Sequence, residues 1–170
     1  MKKNILKYMA AVMLMMTAVT VKAGNGDWHL GLQSGVMYPR IFSTTLIVDK
    51  ETRYHNAIEC YVDYFTQWND CPDCKRVCTD SFWHSKYGLS VGATYKPCVN
   101  RSRNSFGRFR IGADMGTNTR NFVLGIELGY EYVWALRNGV QIALIQKNEI
   151  NFWAKPTFKN GAQIGIRIPL

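Results

Sequence analysis

The chain has 170 residues, 47% of them apolar and only 19% charged, which excludes wholesale disorder and leaves room for one domain with a real core. The formal charge is +9, but Lys2, Lys3, Lys7 and Lys22 precede residue 24 and no acid does. The excess in the rest is too mild to argue for nucleic acid as a partner.

Residues 1–7 are basic, 9–21 form an apolar run and Val21-Lys22-Ala23 offers a cleavage point, the three-part design of a secretory signal peptide over 1–23. The run is shorter than a bilayer-spanning helix requires. Export predicts a single domain over 24–170.

That domain reads as strands, because apolar residues recur with period two rather than 3.6. Weaker alternation marks 28–38, 41–48 and 56–66. A loop over 67–85 follows, and then 87–96, with Tyr87, Leu89, Val91, Ala93 and Tyr95 on one face. Alternation returns over 106–116 after a turn-like stretch at 97–105. The clearest segment is 121–134. One of its faces carries Phe122, Leu124, Ile126, Leu128, Tyr130, Tyr132 and Trp134, while the other carries Gly125, Glu127, Gly129 and Glu131. Residues 140–152 and 162–168 complete eight segments, with Pro, Asn, Asp and Gly in the breaks, including 49–54. The expected fold is all-β: a small antiparallel up-and-down barrel of about eight strands.

Alternation alone does not say which face is outside. A soluble barrel buries the apolar face, whereas a membrane barrel presents it to lipid. Three features favour the membrane arrangement. The polar face is rich in Gly, which weakens a water-exposed strand but makes room inside a narrow barrel. It also holds both charge signs. Glu59, Asp63, Arg108, Arg110, Glu127, Glu131 and Arg167 form a candidate ion network across the lumen, with Lys96 and Asp114 on the same face. Finally, aromatics such as Trp28, Tyr38, Tyr87, Tyr95, Tyr132 and Trp134 gather toward segment ends, as in an interfacial girdle. Phe122, Leu124, Ile126, Leu128, Tyr130, Tyr132 and Trp134 are then the candidate lipid-facing side chains. The alternative is an exported soluble β-barrel that holds a small apolar ligand.

Cys71, Cys74 and Cys78 cluster as C-x2-C-x3-C in the loop 67–85, with His84 nearby. Oxidising compartments favour a disulfide among them, while thiolates with an imidazole also suit a soft metal. A periplasmic N-terminus would put this loop outside the cell and Cys98 at the opposite, periplasmic end. Cys60 faces the apolar side, where a thiol acts as a small hydrophobe.

No nucleophile motif, zinc-protease motif or phosphate-binding glycine loop occurs, and the expectation is a protein that is not an enzyme and needs no cofactor. Glu59 and Asp63 share a face at the spacing of paired catalytic carboxylates, but a lumen ion network explains them better. The Gly-alternating segments 122–134 and 161–168, the stretch Tyr54-His55-Asn56-Ala57-Ile58-Glu59 and the signal peptide together resemble small outer-membrane proteins of Bacteroidota conjugative transposons, the TraO-type conjugal transfer family. The resemblance implies a non-enzymatic envelope component of a DNA-transfer apparatus. Its partners would be outer-membrane lipid and other proteins of that apparatus, without direct contact to nucleic acid.

Overall fold

The computed structural model describes residues 27–68, 86–118, 121–153 and 156–170. The expected signal peptide and Cys71, Cys74 and Cys78 lie outside them. Among the described residues nine strands follow in chain order: β1 (Asp27–Tyr38), β2 (Ile41–Glu51), β3 (Ala57–Gln67), β4 (Lys86–Lys96), β5 (Cys98–Arg101), β6 (Ser105–Thr117), β7 (Phe122–Ala135), β8 (Gln141–Phe152) and β9 (Phe158–Pro169). Each long strand pairs antiparallel with its neighbours, β1 with β9 and β4 with β6, so eight strands close into a barrel without an open edge. The ladder that starts at Trp28 passes through Lys50, Ile58, Tyr95, Ile111, Leu128, Asn148 and Asn160 and returns to β1 at Tyr38, ten residues further on. This stagger requires inclined strands, and eight of them enclose only enough space for side chains.

The strands exceed the sequence expectation at three places. β2 continues to Glu51, where composition suggested a turn over 49–54, because Asp49 and Glu51 point inward and meet cations there. β5 lies within the expected turn 97–105 and folds back on β6, with Phe109 N–H donating to the Pro97 carbonyl at 3.0 Å. β9 begins at Phe158, four residues before the expected start, and continues the β8 ladder.

The faces are inverted relative to a soluble domain. Among the described residues, twenty-nine large apolar side chains are exposed, and only eleven apolar residues are buried. Those eleven include one small cluster at each end of the lumen. Met37, Ile41 and Phe65 pack near Trp68, while Phe106, Val133, Ala143 and Ile145 pack toward Leu170. Glycine makes room for the rings. A Cβ on Gly88 would lie 2.1 Å from Phe65 Cζ, so the phenyl ring can lie flat across the β3–β4 wall only above a glycine. On the outer face the Tyr130 ring reaches over Gly107 in the same way and meets Phe109 edge-on at 5.7 Å.

Candidate functional site

Between the apolar clusters the lumen is filled with charge. Glu131, contributed by β7, is the hub: Arg167 Nη2 approaches at 2.6 Å, Arg110 Nη1 at 2.9 Å, Arg108 Nη1 at 3.2 Å and Lys96 Nζ at 3.5 Å. Glu59 on β3 takes Arg110 Nη2 at 2.7 Å and Lys96 Nζ at 2.8 Å. Lys96 also reaches Asp49 at 2.9 Å. Arg108 holds Glu51 at 2.5 Å, donates to the His55 carbonyl at 2.6 Å and stacks over Phe106. A guanidinium suits this position because its donors are arrayed in a fixed fork and can serve several acceptors.

Arg110 Nε donates to Glu127 at 2.7 Å and so links the hub to a second group nearer Trp68. There Lys147 lies 3.6 Å from Glu127, 3.5 Å from Glu149 and 3.9 Å from Asp63, and Lys159 binds Glu149 at 2.6 Å. Both lysines also lie over rings, Lys147 on Tyr61 and Lys159 on Phe65. Asp63 accepts from the Ser43 and Thr45 hydroxyls at 2.6 and 2.7 Å.

The structure therefore brings Glu59, Asp63, Arg108, Arg110, Glu127, Glu131 and Arg167 into one buried assembly. Asp49, Glu51, Lys147, Glu149 and Lys159 belong to it as well, and sequence reasoning did not single them out. Among the described residues, eight buried carboxylates face six buried Lys and Arg side chains, with His29 3.3 Å from Asp49. Such charges are tolerable away from water only when paired and hydrogen-bonded. The ion pairs above give seven of the eight carboxylates a cationic partner, while Asp114, whose Oδ1 lies against Gly125, has no hydrogen-bond partner at that oxygen. Among the described residues these side chains fill the interior, and a shallow recess at the Trp68 end is floored by Phe65, Val123 and Lys159. The exported soluble barrel needs an apolar interior for its ligand, and this interior does not supply one.

Phe122, Leu124, Ile126, Leu128, Tyr130, Tyr132 and Trp134 all lie on the outer face of β7, with Ile126 44% exposed and its neighbour Glu127 fully buried. Cys60 sits on the outer wall and Cys98 at the Leu170 end, both as free thiols. The candidate disulfide among Cys71, Cys74 and Cys78 falls outside the described residues.

No protein-family model and no curated protein sequence matches the chain. Solved structures do match its fold. A major outer membrane protein from Thermus thermophilus superposes with a TM-score of 0.60 at 12% identity, covering 86% of this chain and all of that one. The de novo designed TMB2.3 gives 0.53 at 10% identity, covering 88% of this chain and 98% of the design. Another chain, from a de novo design of transmembrane β-barrels, gives 0.51 at 11% identity, covering 88% of this chain and 100% of that one. The fold is an outer-membrane-type β-barrel.

Proposed function

We propose that the chain is a non-enzymatic outer-membrane barrel, embedded through its apolar wall and closed to bulk solute flow. The carrying observation is the pairing of an apolar exterior with a filled, ion-paired lumen. A polar face buried around charge and an apolar face left outside is the arrangement that lipid selects. In the expected orientation the Leu170 end faces the periplasm and the Trp68 end faces outward.

The finer reading, an envelope component of a conjugative DNA-transfer apparatus, rests on the sequence resemblance described above. Its partners would be outer-membrane lipid and other proteins of the apparatus. Direct binding of nucleic acid is not expected of Arg108 and Arg110, whose guanidinium groups are consumed by Glu51, Glu59, Glu127 and Glu131.

Cell fractionation combined with planar-bilayer recording tests the main reading. The mature protein is expected in the outer-membrane fraction, and the reconstituted protein should show no large steady conductance. Recovery from soluble periplasm, or a stable open channel, would overturn it. For the finer reading, deletion from a donor strain should lower mating frequency, and deletion from the recipient should leave it unchanged.

A further inference from the structure

The outer wall is not uniformly apolar. On β8, Gln146 and Asn148 interrupt the outward series Ile142, Leu144, Ile150 and Phe152. On β9, Asn160 and Ala162 interrupt the outward series Phe158, Ile164, Ile166 and Ile168. Ser34 on β1 and Thr44 on β2 likewise stand among Leu32, Val36, Phe42 and Leu46. These six residues occupy four adjacent strands, since β8, β9, β1 and β2 are neighbours in the sheet.

They also share a level. The ladder climbs ten residues per circuit of eight strands, and correcting for this stagger puts Ser34, Thr44, Gln146, Asn148 and Ala162 within about two residue steps of one another, with Asn160 about one step beyond. That level is the middle of the barrel wall. The opposite wall at the same height carries Val62, Val91, Ile111, Ala113 and Leu128, with no amide or hydroxyl among them.

The geometry points to this stripe as an intramembrane interface with a second copy of the same chain. Within one copy the groups are already arranged in pairs. Asn160 donates to Asn148, and the Ser34 and Thr44 hydroxyls are 2.8 Å apart. Each amide and each hydroxyl has both donor and acceptor capacity, so further bonds remain open to each pair. In hydrocarbon no water can supply them. The patch is uncharged and every polar group on it is both donor and acceptor, which makes it complementary to itself. Self-complementarity is the requirement of a two-fold interface, in which one surface meets its own copy. Ser34 and Ala162 are small and let the two walls approach closely, as small residues do between membrane helices.

This inference rests on the membrane reading above. Full-length mature protein carrying donor or acceptor dyes, reconstituted in phosphatidylcholine vesicles over a range of protein-to-lipid ratios, gives the dimer fraction by energy transfer. Heat-modifiable gel mobility reports folding and protease protection reports insertion. The wild type is expected to dimerise. Q146L/N148L/N160L should raise the dissociation constant roughly tenfold or more. Ala162→Trp, which blocks the approach but keeps every amide, should do the same, and Ala113→Trp on the opposite wall should leave it unchanged. A folded, inserted wild type that stays monomeric at every ratio overturns the interface and leaves the membrane reading intact. So does a dimer weakened by Ala113→Trp but not by either stripe variant. Failure to insert at all overturns the membrane reading itself.

Discussion

Replacing Glu131 with Gln is expected to destabilise the barrel by about 3–5 kcal/mol, the range for removing one partner of a buried ion pair. The substitution preserves shape and removes one charge. Arg167, Arg110, Arg108 and Lys96 all lie within 3.5 Å of the carboxylate, and all four belong to side chains no more than 2% exposed. Those cations keep Asp49, Glu51, Glu59 and Glu127 but lose their common partner, and at such depth water cannot replace it. Glu51→Gln is the control: this residue sits at the end of β2 and has Arg108 within ion-pair distance together with hydrogen bonds from Gln141 and His55, so its loss should cost less. Combining Glu131→Gln with Arg167→Met should cost less than the sum of the two single changes, because residues sharing an ion network are coupled. Urea unfolding from lipid vesicles, followed by tryptophan fluorescence, supplies the numbers. A loss below about 0.5 kcal/mol, the scale of a neutral surface change, would show that the lumen pairs do not stabilise the barrel.

Ile126→Arg should have an effect of similar size for the opposite reason. Ile126 is 44% exposed on the outer wall between Ala113 and Ile150 on the adjacent strands. An arginine near the bilayer midplane of a barrel costs about 2–4 kcal/mol, and near the interface about 0–1 kcal/mol. Thr117→Arg, on the same wall but at the last residue of β6, should therefore be mild. Membrane assembly is read as the folded fraction on a heat-modifiable gel. If Ile126→Arg assembles as well as Thr117→Arg, the wall does not face lipid.

How plainly a strand declares itself in the sequence varies along the chain, for local reasons. β7 was legible because Leu, Ile and Tyr alternate with Gly and Glu for most of its length, so that both faces announce themselves. Glu127 and Glu131 could be placed inside from that rhythm alone. On β8 the rhythm is blurred, because Gln146 and Asn148 put polar groups on the outer face beside Lys147 and Glu149 on the inner one. The two lumen residues therefore carried no distinguishing signal. Asp49 and Glu51 flank Lys50 in a run with turn-like composition, and only cations from distant strands, Lys96 and Arg108, explain why it stays extended. β5 was hidden by Pro97, which marks a break without revealing that the chain pairs again immediately after it. The closure of β4 on β6 depends on a register that no local pattern encodes.

If the two faces of each strand divide lipid from an ion-paired lumen, carbene photolabelling from the acyl chains of vesicle lipids will show it on the unmodified protein. Arg120 and Arg137 bracket β7 with no Lys or Arg between them, so one tryptic peptide, 121–137, reports the whole strand. Label is expected on Leu124, Ile126, Leu128 and Tyr130 and none on Glu127 or Glu131, although carboxylates trap such reagents readily when exposed. Label on Glu127 and Glu131 with protection of Ile126 and Leu128 would contradict it.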